Sequence, residues 1–407
     1  AAATPDPEND NDTEMGACLP KPPPPSSQRA PNATAGAPPP PPAAALSPHL
    51  AGALTAVIGG AWRLQRCARG CDQDVCIVRA RGPAATAAGA ATTTAEDTLG
   101  RAPRSPAPAS SSSSSSVVLK RGTRRHLAHS MLAARLLAAS PVPIPRVIRG
   151  DPQGDSGIQG WGYLIEERAR GEELWTVYGR LRPGARESIW GHLGELMAAC
   201  HSVEMRGFGD VGLDGKGARA AYPSADGLFA SDVEAFRAAR VLSAREMERV
   251  DAYLGSEGVR RINRNVTESV LLHDDLEMDN LFVDTEAGKV SGIIDWADLH
   301  CGPRSEDFAR LYCRLHPEPR CWRALLSGYS KLATPPSLEE IQLRVVELLL
   351  WLLPCKREAA MKNYEEEKRE PGSSSRHVAS DMKKLHVDEY KRCRQLLVSI
   401  VSSCELL

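Results

Sequence analysis

Three polar side chains in one short stretch are spaced as phosphoryl transfer would need them. Within residues 270–298, VLLHDDLEMDNLFVDTEAGKVSGIIDWAD, Asp275, Asn280 and Asp295 fall in the polar breaks between short apolar runs. That chemistry asks one carboxylate to take the proton of an attacking hydroxyl. It also asks an amide oxygen and a second carboxylate to hold the cation that bridges the phosphates. Magnesium prefers hard oxygen ligands, which Asn280 and Asp295 can supply. A merely solvated acidic loop accounts for neither the position of Asn280 nor the aspartate that ends the third apolar run.

The elements that must position these groups are legible from pattern. Residues 270–272 read as a strand, 273–280 as a loop, and 281–284 and 290–294 as a hairpin about a turn at 285–289, so all three groups stand at strand ends. Upstream, residues 47–58 predict a helix with Ser47 as cap and Pro48 in its first turn. Residues 62–69 and 75–80 predict two strands about a turn containing Gly70, whose backbone N–H groups could meet phosphates. Val117, Val118 and Leu119 read as a strand closing on Lys120. Residues 124–139 form a helical pattern with Leu127, Met131, Leu132 and Leu136 on one face. A further strand is expected over 161–167 and helices over 183–201, 230–254, 319–333, 337–353 and 379–401, with a solvated connection over 362–376. His201 is expected to be a packing residue.

Composition bounds the rest. The chain has 407 residues and a formal net charge of −1, which argues against a nucleic-acid partner. No apolar run is long enough to predict a membrane span. The acidic N-terminal stretch predicts neither a secretory signal nor a transit peptide, so a cytoplasmic location is expected. Eleven cysteines are then expected to be reduced thiols, and Cys67, Cys71 and Cys76 lack the spacing of a paired-ligand zinc site. Residues 1–46 are Pro/Ala-rich and predict a disordered tail. Residues 81–116, Ala/Thr/Pro/Ser-rich, predict a low-complexity insertion at a hairpin tip, where added length costs little.

The loop HDDLEMDN (273–280) fits the kinase pattern H-x-D-L-x-x-x-N, and with the GIIDWAD ending it resembles the aminoglycoside phosphotransferase and choline kinase-like family of small-molecule kinases. The resemblance implies an α+β, two-lobed protein kinase-like fold, with a sheet-plus-helix N-lobe over 47–165 and a mainly helical C-lobe over 166–407. It implies ATP and Mg²⁺ as cofactors and a small-molecule hydroxyl as acceptor. Asp275 becomes the catalytic base, Asn280 and Asp295 the metal ligands, and His273 and Asp307 supports of the loop. Lys120 and Gly70 fall at the nucleotide phosphates, and Glu166, Glu167 and Arg168 at the hinge that takes the adenine edge. Asp274, Glu277, Asp279 and Asp298 would suit a cationic acceptor.

Two departures from the family pattern stand out. Asp274 replaces the family's small glycine, and aspartate still tolerates left-handed backbone angles. Kinases also carry a glutamate on the helix after the lysine strand, yet here no acid occurs between Lys120 and Asp151, and Ser130 lies near the expected place. Lys120 must then rely on the phosphates themselves or on an acid distant in sequence. A catalytically weak or inactive nucleotide-binding scaffold is the alternative reading. A protein kinase fits less well, because Asp295 is followed by Trp296 and Ala297 and the stretch to Asp307 leaves little room for an activation loop.

Overall fold

Ser47 starts the ordered chain in the way its sequence predicts. In the computed structural model, which describes residues 46–59, 62–69, 73–80, 116–157, 160–218, 230–369 and 376–403, its hydroxyl accepts the Leu50 N–H at 3.2 Å and donates to the Asp155 carbonyl at 2.7 Å. Helix α1 (Pro48–Ile58) follows, with Pro48 in its first turn and Gly59 left-handed at its end. Gly70, most of the tail over 1–46 and most of the insertion over 81–116 lie outside the described residues.

Strands β1 (Trp62–Arg69), β2 (Gln73–Ala80) and β3 (Ser116–Thr123) come next, then helix α2 (Arg124–Leu136), capped by Thr123. Strands β4 (Val147–Asp151) and β5 (Trp161–Glu167) complete an antiparallel sheet of order β1-β2-β3-β5-β4. Its register is fixed partly by charge. Asp74 and Arg121 are cross-strand partners, and their buried side chains meet at 2.9 Å. Leu50 and Leu54 of α1 pack with Val78, Leu119 and Ile165 of the sheet in one apolar cluster.

The chain then passes to the helical half through β6 (Glu172–Glu173), which pairs with β10 (Leu281–Asp284). Gly171 makes that crossing with φ at 87°, and a Cβ there would lie 2.2 Å from the Val283 carbonyl oxygen, so only glycine fits. Short helix α3 (Leu174–Val177) and long helix α4 (Pro183–Cys200) lead to β7 (Glu204–Met205) and β8 (Gly209–Asp210). Helices α5 (Ala230–Ala239), α6 (Ala244–Leu254) and α7 (Glu257–Asn265) precede β9 (Ser269–Leu272). After β10 come β11 (Lys289–Ile293) and β12 (His300–Gly302), and four helices close the chain: α8 (Ser305–Leu315), α9 (Pro319–Tyr329), α10 (Leu338–Arg369) and α11 (Arg376–Ser403). A large apolar cluster runs through this half, with Trp190, Leu193, Phe308, Leu325 and Tyr329 at its centre. A sheet-rich N-terminal half and a helical C-terminal half make up the two-lobed α+β fold that the sequence predicts.

Three expectations need correction. The single helix expected over 230–254 breaks in two, because Arg240 turns left-handed (φ 49°) and Ser243 with Glu246 forms a capping box that starts a new helix. Part of the connection expected over 362–376 is helical, since α10 continues to Arg369 through an internal Pro354. Finally, Cys76 is disulfide-bonded, against the expectation of reduced thiols throughout. Its register neighbour across the hairpin is Cys67.

Candidate active site

The loop between β9 and β10 is held from below by one carboxylate. Every residue of β9 is buried, and the chain emerging from it turns at Asp274, whose φ of 62° is the left-handed geometry its side chain tolerates. Asp307 in the first turn of α8 accepts the backbone N–H of His273 (3.1 Å) and of Asp274 (2.9 Å). His201, just past α4, donates from Nε2 to the same carboxylate at 3.1 Å and meets the Tyr329 hydroxyl through Nδ1 at 3.1 Å. His201 therefore braces the loop through Asp307 as well as packing. His273 braces it from above. Its Nε2 donates to the Ile294 carbonyl at 2.9 Å and its Nδ1 accepts the Asp275 N–H at 3.2 Å, which fixes the tautomer.

Asp275 and Asn280 face each other across that loop. The Asn280 Nδ2 donates to both the Asp275 carbonyl and its Oδ2, each at 2.8 Å, which leaves the amide oxygen as the atom open to a cation. Asn280 and Asp295 are brought side by side by the hairpin. Leu281 pairs with Ile293 in the β10–β11 ladder, and the Ile294 N–H bonds the Asn280 carbonyl at 3.0 Å. Asp295 itself is left-handed (φ 63°, ψ 59°). Such a conformation costs a non-glycine residue about 1–3 kcal/mol and persists only where surrounding contacts enforce it.

The other half of the cleft supplies a lysine, and its carboxylate partner comes from an unexpected place. Lys120 Nζ lies 3.0 Å from Glu166 Oε1, and both side chains are buried. Burial works against the lysine's charge, but Glu166 and Asp295 outweigh it and hold its pKa above the ordinary value. The acid distant in sequence thus exists, one strand away on β5. Of the hinge residues, Glu166 turns its side chain to this pair. Glu167 spends its N–H on the Arg146 carbonyl at 2.9 Å and pairs with the Arg146 side chain at the surface, while Arg168 is exposed.

The glutamate-less helix α2 is tied to the site in another way. His129 is buried, with Nδ1 at 3.0 Å from the Ala297 carbonyl and Nε2 at 3.1 Å from that of Val211. Ser130 bonds back to the His126 carbonyl, within the helix.

Two side chains at the site were not anticipated. Arg310 of α8 places Nη1 3.1 Å from Asp275 Oδ1 and 3.6 Å from Glu277 Oε1. Burial opposes its charge too, but Asp275, Glu277, Asp274 and Asp298 together keep its pKa above the ordinary arginine value. A signal for it was present. Residues 273–280 carry four acids and no lysine or arginine, so a buried cation had to come from elsewhere. The second is Gln73, first residue of β2, whose Nε2 donates to Asp295 Oδ1 at 3.3 Å. Nothing in its sequence context marked it.

Comparison with known proteins shows the family and the fold. A model of the phosphotransferase enzyme family matches residues 111–341. Among solved structures, a thermostable mutant of aminoglycoside phosphotransferase APH(4)-Ia in ternary complex with AMP-PNP and hygromycin B superposes with a TM-score of 0.53 at 16% identity. That match covers 86% of this chain and 96% of the other. A Ralstonia eutropha protein assigned to the aminoglycoside phosphotransferases gives a TM-score of 0.51 at 14% identity, covering 88% and 99%. Acyl-CoA dehydrogenase family member 10 of Mus musculus is 27% identical over 167 residues, 40% of this chain, which spans only 14% of that relative's length.

Proposed function

From the premise that this chain belongs to the phosphotransferase enzyme family, we propose that it transfers the γ-phosphoryl group of ATP to a hydroxyl of a small molecule, with Mg²⁺ as cofactor. The observation that carries this reading is the Asp275–Asn280–Asp295 constellation. A carboxylate is held by an amide whose oxygen stays open, and a second carboxylate stands at the end of the paired strand. The donor set suits magnesium, which is bound by one or two carboxylates together with substrate phosphates rather than by an all-protein cage. Asn280 and Asp295 would hold it, and its charge would offset that of the phosphate oxygens.

The chain's own groups do the rest. Asp275 accepts the proton of the acceptor hydroxyl as the hydroxyl oxygen attacks phosphorus. Asn280 holds one carboxylate oxygen of that base and Arg310 the other, so its orientation is set before substrate arrives. Lys120 supplies a buried positive charge for the phosphates, which in the free protein is matched by Glu166. The Glu166 carboxylate beside the lysine weighs against the alternative of an inactive scaffold.

A cationic acceptor such as an amino-alcohol or aminoglycoside fits the carboxylates around the loop, and the ternary complex of the APH(4)-Ia relative holds hygromycin B. The test is ADP formation with Mg·ATP over a panel of amino-alcohols, neutral sugars and aminoglycosides, with mass spectrometry of the products. A product heavier by one phosphoryl group, made by the cationic members first, is the expected result. Nucleotide binding without any acceptor-dependent ADP would favour the scaffold reading instead.

A further inference from the structure

Gln73 Oε1 is one of the buried side-chain atoms without a hydrogen-bond partner among the described residues, and its amide stands beside Asp295. The residue as a whole is 8% exposed. A buried amide oxygen left without a hydrogen-bond donor is destabilising. The hairpin does not need a glutamine there. The backbone pairs with Gly122 in the β2–β3 ladder, and the adjacent Asp74–Arg121 ion pair already fixes the register. The amide's orientation is also not free. Its nitrogen donates to Asp295 Oδ1, and turning the group over would set oxygen against oxygen. Its acceptor end is therefore held, unpaired, beside the aspartate that closes the metal hairpin.

We propose that Gln73 is a positioning residue for the cation, its nitrogen orienting the Asp295 carboxylate and its oxygen accepting a hydrogen bond from a water bound to the cation. The inference rests on the reading that Asp295 holds a divalent cation. Its consequence is linkage between the lobes. Gln73 rides on the N-terminal hairpin and Asp295 on the C-terminal one, 222 residues apart, so the cation would be held from both halves of the cleft. Groups of this kind, which touch a metal only through a ligand or a bound water, are typically worth 10–100-fold in metal affinity.

Mn²⁺ is the probe, its free fraction read by electron paramagnetic resonance with AMP-PNP present, on the full chain and two variants. Gln73→Met keeps length and removes both polar ends, and should weaken Mn²⁺ binding about tenfold. Gln73→Glu returns an oxygen, now anionic, and should bring affinity back to within about threefold of the parent. In metal-free buffer the two variants should rank in the opposite order by stability. The methionine variant should melt at or above the parent temperature, because an orphaned oxygen is gone, while the glutamate variant should melt lower, because it faces Asp295. A merely structural glutamine would make metal affinity follow melting temperature in both variants. The inference is overturned if Gln73→Met binds Mn²⁺ within about twofold of the parent, or if Gln73→Glu binds no better than Gln73→Met. If the parent protein binds no Mn²⁺ with AMP-PNP, the cation role of Asp295 itself falls, and this inference with it.

Discussion

Lys120 on β3 and Glu166 on β5 form a buried ion pair at 3.0 Å across adjacent strands, in a protein whose following helix offers the lysine no acid. The strand geometry explains why this works. Val118 is the cross-strand partner of Glu166, and Lys120 projects from the same face two residues on. The ammonium therefore needs no movement of α2 to find a partner. Its position is set within one sheet.

Removing one half of such a pair should be costly. Glu166→Gln leaves a buried ammonium with less counter-charge, and is expected to destabilise the protein by about 3 kcal/mol in denaturant melts. The double variant Lys120→Met with Glu166→Met should recover most of that loss, yet bind Mg·ATP far more weakly than the parent. Equal stability of Glu166→Gln and the parent would show that the pair does not hold the lysine.

Arg310 is the charge balance of the catalytic loop. Arg310→Met should leave Asp275, Glu277, Asp274 and Asp298 crowded without their cation, at a cost of about 3–5 kcal/mol near neutral pH. Burial already holds the Glu277 and Asp298 carboxyls above the ordinary range, and without the Arg310 charge Glu277 would resist ionisation further, so the folded pKa values of these two lie above the unfolded ones. The stability of the variant should then be greatest in acid and fall as pH rises through the carboxylate range. Thermal melts of parent and variant between about pH 4 and 8 would check the sign. A variant that loses no stability as pH rises would contradict the balance.

How much of this was legible in the chain differs by level. The loop over 273–280 and the hairpin to Asp295 are local, so strand-end spacing placed Asp275, Asn280 and Asp295 together before any fold was known. Glu166 and Gln73 were not legible as partners, because each reaches its contact across strands far apart in sequence, Gln73 over 222 residues. The split of the helix over 230–254 could have been read, since Ser243 and Glu246 carry the capping signature. The broader apolar periodicity masked it. Arg310 sat unread between the apolar residues Phe308, Ala309 and Leu311, where only the charge of a loop thirty-odd residues upstream called for it.

His129 ties α2 to the segment after Asp295, and its ring faces two carbonyl oxygens. Burial lowers its pKa despite those bonds, so the unfolded chain binds its proton more readily. Stability from this residue is then complete above the ordinary imidazole value, about 6.5, and is lost as pH falls through it. His129→Gln keeps a donor for one carbonyl and should flatten that part of the stability–pH curve. Chemical denaturation at a series of pH values tests this, and an unchanged slope in the variant would refute it.

The central claim is that Asp275 takes the acceptor's proton in a transfer that the rest of the site only binds and aligns. It is tested most directly by following the label of [γ-³²P]ATP into an acceptor at saturating Mg·ATP, for the parent and for Asp275→Asn side by side. The account predicts label in a hydroxyl compound made by the parent, a rate lower by ~10²–10⁴-fold in the variant, and little change in Mg·ATP affinity. Transfer by Asp275→Asn within about tenfold of the parent would contradict it.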